Sequence, residues 1–218
     1  MTLKLYKTDL SPPARAVMML LDILKLPFET IEINPRKKEH LTPEFLKINP
    51  VHTIPVLEDG DLILQDSHAI LMYLSDKYAK DDVLYPKDIV KRALVNQKLF
   101  FDSCFLNMRL KVIAQGAFYF GQKSITDKQR DDVLDAYGFL EEFLTRTKFL
   151  AVDHVTIADL SAFTYVSSTA SLIPIDPKKY PLTDAWVKYL EKQSYAQKYN
   201  AAGVLELLES IKTSQENN

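Results

Sequence analysis

The chain predicts a small α/β domain of order β-α-β-α-β-β-α followed by an all-helical domain. Three observations carry this. Leu3-Lys4-Leu5-Tyr6 and Phe28 to Ile33 alternate like strands and flank an apolar helical stretch, which makes a compact β-α-β unit. Two further strand patterns surround Glu58-Asp59-Gly60-Asp61, whose Asp-Gly pair signals an antiparallel hairpin. Beyond residue 87 the apolar residues recur with a helical period.

Leu3 to Tyr6 is the first strand. Ser11-Pro12-Pro13 starts a helix, with a hydroxyl at the N-cap and proline in the first turn, where a missing N–H is harmless. The apolar stripe from Ala16 to Leu24 continues that helix, and Leu26-Pro27 ends it before the strand Phe28 to Ile33. Thr42-Pro43-Glu44-Phe45 opens a short helix. Ile54 to Leu57 and Leu62 to Leu64 form the hairpin, and Ser67 to Tyr78 is helical, with apolar residues at 70, 71, 74 and 78. These elements place a first domain at residues 1–79. The polar, proline-broken stretch 80–87, with Lys80-Asp81-Asp82 and Tyr85-Pro86, reads as a linker, and 88–218 as the helical domain. Its helical runs are 88–120, 127–146, 156–172, 183–193 and 201–212. Thr156-Ile157-Ala158-Asp159 is a Thr-x-x-Asp variant of the capping box, and the polar tail 213–218 is expected to fray.

With 218 residues, 47% of them hydrophobic, the chain has material for real cores. A net charge of −2 with mixed signs argues against a nucleic-acid partner. No apolar run approaches the ~20 residues of a bilayer span, and Met1-Thr2-Leu3-Lys4 lacks the pattern of a signal peptide. The single cysteine, Cys104, excludes an internal disulfide framework and a cysteine-based zinc site. A cytoplasmic protein without a metal is the expectation. Four histidines without an HExxH motif, and five glycines without a phosphate loop, leave zinc-hydrolase, dehydrogenase and kinase readings unsupported.

The most informative stretch is Val51-His52-Thr53-Ile54-Pro55, followed by Asp66-Ser67-His68. Extended backbone running into proline offers unpaired peptide groups, and a carboxylate–hydroxyl pair at a helix start can hold the other end of a peptide-like ligand. Together with Ser11-Pro12-Pro13-Ala14-Arg15, Phe45-Leu46-Lys47-Ile48-Asn49-Pro50, His52-Thr53-Ile54-Pro55-Val56-Leu57, Asp66-Ser67-His68-Ala69-Ile70 and Thr156-Ile157-Ala158-Asp159, it resembles the cytosolic glutathione transferases along nearly the whole chain. The insect epsilon class is most similar and the delta class next. The sequence departs from the family in two places: Ala151-Val152-Asp153 stands where many relatives have glycine before the aspartate, and the long helix after the linker lacks a run of aromatics.

The resemblance implies a thioredoxin-like first domain that binds glutathione as co-substrate. On its residues alone Ser11 reads better as a plain helix cap; the resemblance makes it the catalytic hydroxyl, donating to the glutathione thiolate beside the positive end of the helix dipole. It further implies a cis Pro55 exposing the backbone of Ile54 to the cysteinyl residue, with Thr53 beside it. Asp66 and Ser67, otherwise caps, hold the γ-glutamyl end. His40 and His52, otherwise loop residues, stand near the glycine carboxylate, with Arg36-Lys37-Lys38 adding positive field. His68 becomes a contact across the two-fold axis of a homodimer, and Asp159 is structural in either reading. The electrophile pocket is expected to draw on Leu10, Pro12, Asn107, Leu110, Lys111, Ala114 and Phe118, with Leu205 and Leu208 closing it. Asn107 and Lys111 make that wall more polar than an aromatic one. The implied function is conjugation of glutathione to hydrophobic electrophiles in xenobiotic or insecticide detoxification, with dehydrochlorinase or peroxidase side activity. The alternative is a non-catalytic carrier of hydrophobic ligands that keeps the glutathione site.

Overall fold

The computed structural model describes residues 2–217. Its first part is a four-stranded mixed sheet of order β2-β1-β3-β4, formed by β1 (Leu3–Lys7), β2 (Phe28–Glu32), β3 (Val56–Asp59) and β4 (Leu62–Gln65). β1 and β2 run parallel, while β1–β3 and β3–β4 are antiparallel. Three helices complete this half: α1 (Pro12–Ile23), α2 (Pro43–Ile48) and α3 (Ser67–Tyr78). The order β-α-β-α-β-β-α is the one the sequence predicts. The first hairpin strand begins at Val56 rather than Ile54, because Pro55 has no N–H to offer the ladder.

The remainder is helical: α4 (Ile89–Phe101), α5 (Asn107–Tyr119), α6 (Asp127–Leu144), α7 (Ile157–Ala170), α8 (Pro181–Glu191), α9 (Ser194–Tyr199) and α10 (Ala201–Glu216). A π-helical turn at Asp102–Leu106 interrupts the predicted run 88–120. Of the expected frayed tail 213–218, residues 213–216 are instead the last turn of α10, held where the Ser214 hydroxyl donates to the carbonyl of Ala117 on α5 at 3.0 Å, and Asn218 lies outside the described residues.

The halves meet on α1. Every residue from Ala14 to Leu21 is buried, because α1 is covered by the sheet on one side and by α3, α7 and α9 on the others. A continuous apolar run is what such an all-round contact requires. Its one charge, Arg15, is fully buried and donates from Nη2 to Ser168 Oγ on α7. Burial pulls the guanidinium down to about 10, and Nε and Nη1 have no hydrogen-bond partner. Gly203 of α10 lies against this group: a Cβ there would come within 2.4 Å of the Asp9 carbonyl and 2.7 Å of Arg15 Nη1. Only glycine allows that approach. A second, smaller core of Tyr6, Ile33, Phe45 and Val56 lies on the far face of the sheet, with the Tyr6 and Phe45 rings edge to face at 6.1 Å.

α7 is buried along nearly its whole length, serines and threonines included. Thr164, Ser168 and Thr169 return their hydroxyls to carbonyls three or four residues back, so the helix needs no outside partners for them. At its start Asp159, fully buried, accepts from Thr156 N–H and Thr156 Oγ1 through one oxygen. Its other oxygen accepts from Leu150 N–H and the Trp186 indole. Burial pushes this carboxyl up, against those four donors. The loop without glycine is unstrained: Val152 is buried, is not among the positive-φ residues, and accepts from Phe149 N–H at 3.1 Å.

Candidate active site

Sheet register gathers the predicted residues. Tyr6 pairs with Val56, and Val56 with Gln65, so the chain leaving β1, entering β3 and leaving β4 emerges at one end of the sheet. Residues 8–11, 54–55 and 66–67 therefore lie side by side there, although up to 59 residues separate them along the chain.

Ser11 occupies the N-cap of α1 with an extended backbone, yet its side chain makes no capping bond. The hydroxyl contacts only the carbonyl of Ile54, at 3.5 Å, the outer limit of a hydrogen bond. Pro12 and Pro13 carry no N–H and Arg15 N–H is bonded to Ser11 O, which leaves Ala14 as the first-turn residue with an open amide. The helix end thus offers one amide.

The Ile54–Pro55 bond is cis. The loop before it is held by Asn49, a residue to which sequence reasoning gave no role. Fully buried, Asn49 donates to the Thr53 carbonyl at 2.8 Å and accepts from Val51 N–H at 2.9 Å. Within this staple His52 adopts φ 51°, a left-handed conformation uncommon for a residue with a side chain. The His52 and His40 rings stand 6.2 Å apart. Burial, with His52 nearby, lowers the pKa of His40, and its buried Nδ1 has no partner. Asp66 is held at φ 72° and caps α3, accepting from His68 N–H and Ala69 N–H at 2.8 and 3.1 Å. Ser67 behind it is buried. Left-handed backbone at both His52 and Asp66 is the kind of local strain that collects at functional positions.

Beside this sheet end opens a cavity of about 780 Å³ between the two halves. Leu10, Ser11, Pro12, His40, His52 and Ile54 line it from the first half, and Asn107, Leu110, Lys111, Ala114 and Phe118 from α5. Thr53, Pro55, Asp66 and Ser67 are not among its lining residues; they adjoin it through the register. Arg36 spans the rim, its guanidinium 5.8 Å from the centre of the Phe118 ring. Leu205 and Leu208 do not line the cavity. α10 presents Leu207, Ser210 and Ser214 instead, spaced i, i+3 and i+7 on one face, and adds Thr213. Leu205 lies in a separate pocket with Phe163, Ala196 and Asn200. Three leucines within four residues leave the phase of α10 open until its partner α5 is known. Tyr165, Leu207 and Ser210 were also missed; only the helical period hinted at them.

His68 is tied within the chain to the helical half. Its side chain is 12% exposed, and Nε2 lies 2.8 Å from Asp102 and 3.1 Å from Ser161 Oγ. Ser161 also donates to Asp102, so α3, the π-turn and α7 share one polar knot. The physical reason is Asp102, a fully buried carboxylate whose burial would otherwise go unanswered. Burial opposes the charged ring, but the hydrogen bond and charge of Asp102, with Asp66 beyond, raise the His68 pKa. Burial likewise raises Asp102.

Among the described residues no group of histidine, cysteine or carboxylate side chains is arranged to hold a metal ion. None of the described helices is long and apolar enough to cross a membrane.

Comparison with known proteins matches residues 5–82 to the family model of the glutathione S-transferase N-terminal domain and residues 89–194 to that of the C-terminal domain. Glutathione S-transferase 1 of Manduca sexta is 42% identical over 205 residues, covering 93% of this chain and 94% of that protein. The structure of an epsilon-class glutathione S-transferase from the housefly, Musca domestica, superposes with a TM-score of 0.95 at 43% identity, covering 98% of each chain. A glutathione transferase homolog from Drosophila mojavensis with bound glutathione gives a TM-score of 0.94 at 40% identity, covering 98% of this chain and 97% of that one.

Proposed function

Because the chain belongs to the glutathione S-transferase family, a family of enzymes, we propose that it conjugates glutathione to hydrophobic electrophiles in this cavity, with Ser11 as the catalytic hydroxyl. The observation that carries the reading is the uncommitted Ser11 side chain. A serine serving only as a cap would bond the first turn of its helix, whereas this hydroxyl is left to a long contact with Ile54 O beside the cavity.

In this reading glutathione lies along the sheet end. Its cysteinyl residue pairs with the backbone of Ile54, between Thr53 and Pro55. The γ-glutamyl ammonium meets Asp66 and its carboxylate meets Ser67 at the start of α3. The glycine carboxylate meets His40 and His52, under the field of Arg36 and Lys38. A thiol of ordinary pKa near ~8.5 is mostly protonated at neutral pH, so an O–H donated from Ser11 favours the nucleophilic thiolate. The thiolate then attacks an electrophile resting on Leu10, Pro12, Leu110, Ala114 and Phe118.

The physiological setting we propose is detoxification of foreign compounds, including insecticides, in the cytoplasm. Dehydrochlorination or peroxide reduction by the same thiolate are its side reactions. The proposed working unit has a glutathione-binding domain at 1–79, a linker at 80–87 and a helical domain at 88–218, and it forms a homodimer. Exposed apolar residues on α4, Val90 at 65% and Leu94 at 40% exposure, support a covered face there.

The test is Ser11→Ala with 1-chloro-2,4-dinitrobenzene as electrophile. Turnover at neutral pH is expected to fall about 25-fold, the loss of thiolate when the thiol pKa rises by ~2 units to its free value, with glutathione affinity within about threefold of the parent. Unchanged turnover removes Ser11 from the chemistry. Absent turnover by the parent protein across several electrophiles, with tight binding of apolar dyes, points to a carrier instead.

A further inference from the structure

The cavity's charge pattern points to a class of second substrate, an inference that rests on the transferase reading above. Among the lining residues are Arg36, Lys38, Lys111, His40 and His52, with no aspartate or glutamate, in a chain whose net charge is −2. Four of these five groups stand on the first half, where the glycine carboxylate of glutathione answers them in the proposed arrangement. Lys111 does not. It is on α5, one turn from Asn107 and beside Leu110 and Ala114, on the wall left to the electrophile.

Lys111 is exposed and has no ion pair or hydrogen bond among the described residues. The other cation reaching this wall, Arg36, lies over the Phe118 ring. Opposite, α10 brings the hydroxyls of Ser210 and Thr213 to the cavity, whereas that of Ser214 is committed to the Ala117 carbonyl. An unpaired ammonium next to an apolar strip suits an amphiphile with an anionic end. We propose that the preferred electrophile carries a carboxylate, which pairs with Lys111 while its apolar body lies on Leu110, Ala114 and Phe118. The ammonium is exposed, so added salt screens such a pair. A carboxylate also receives charge-assisted hydrogen bonds from an ammonium.

Ethacrynic acid, an aryl vinyl ketone with a carboxylate, and its methyl ester form a matched pair of probes. With either, the glutathione sulfur bonds to the terminal methylene and the C=C pair moves into an enolate. The adjacent carbon then takes a proton from water. The readout is the acid-to-ester ratio of kcat/KM within each protein, which cancels any general change in activity. Lys111→Met is expected to lower the ratio about tenfold, through the KM of the acid, while Lys111→Arg keeps it. Sodium chloride at ~0.5 M shrinks the parent's ratio.

A ratio that Lys111→Met leaves unchanged overturns the proposal. No turnover of either compound by the parent would defeat the transferase reading instead. The affinities of the two preformed glutathione conjugates, measured by calorimetry, still decide the role of Lys111 in that case. An acid preference lost in Lys111→Met supports it, and equal affinities of acid and ester in the parent overturn it.

Discussion

On the sheet side of the cavity, His52 and Asp66 sit at φ 51° and 72°, and Asn49 is buried solely to hold one loop in shape. On the helical side, Asn107, Lys111 and Ala114 are ordinary positions of a regular helix, half-buried or exposed, whose side chains simply face the gap. The first wall is made by the course of the backbone, so each residue is tied to its neighbours by caps and turns. The second is made by side chains on a scaffold that stands without them. The difference teaches where change is tolerated: the sheet side is fixed by geometry, while the helical side can vary without disturbing the fold.

The sharpest way to break this contrast is at Asp66, which under the proposed assignment both shapes the first wall and binds. Asp66→Asn keeps an acceptor for His68 N–H and Ala69 N–H but removes the charge. Glutathione affinity, read by fluorescence titration, is expected to fall tenfold or more on loss of the charged partner, an effect of about 1.5–3 kcal/mol, while stability barely moves. Asp66→Ala should lose the same affinity and, with the cap gone, about 1 kcal/mol of stability in urea unfolding. Unchanged affinity in Asp66→Asn would detach Asp66 from the ligand.

A second test concerns how the first wall is pinned to the helical half through His68 and Asp102. The raised pKa of His68 means that its contribution is complete below the ordinary histidine range and fades as pH climbs through the raised value. The raised pKa of Asp102 acts in the same direction. Unfolding free energy should therefore fall as pH rises above ~6.5. In Asp102→Asn burial is left to dominate His68, whose pKa then lies below the ordinary value. The sign reverses: stability should rise as pH climbs to ~6.5. Urea unfolding from pH ~5.5 to ~8 checks this, and parallel curves for the two proteins would refute it.

The smallest effect is expected on the second wall. Asn107→Ala should leave stability within ~0.5 kcal/mol of the parent and alter electrophile KM by only about twofold to fivefold, read across a substrate panel. A large loss of stability there would erase the contrast.

Sequence reasoning reads the first wall well because its signals are local. Ser11 before two prolines, Pro55 before a strand pattern, and Asp66-Ser67 before a helix each declare a cap or turn within a few residues. Its errors fall where a distant partner decides. Leu205 and Leu208 look as suitable as Leu207 until α5 sets the phase of α10. The stretch 213–218 reads as a polar tail until Ser214 meets Ala117 O, 97 residues away. Nor does the sequence show that His68 meets Asp102 and Ser161, which lie 34 and 93 residues further on. Nor does composition reveal that Ser11 leaves its helix uncapped, since the same letters serve both uses.

Arg15 carries a consequence for heredity. The helix that begins beside Ser11 sets Arg15 on Ser168 of α7 and leans on Gly203 of α10, so the Ser11 end of one half is seated by the other. A recombinant joining residues 1–79 to an unrelated helical half would inherit every letter of the glutathione cradle yet strand a guanidinium in a foreign interior. Such chimeras should be viable only when the incoming half brings a hydroxyl and a glycine at those two places. Lineages can therefore exchange the helical wall of the cavity one side chain at a time, but the halves themselves must travel together.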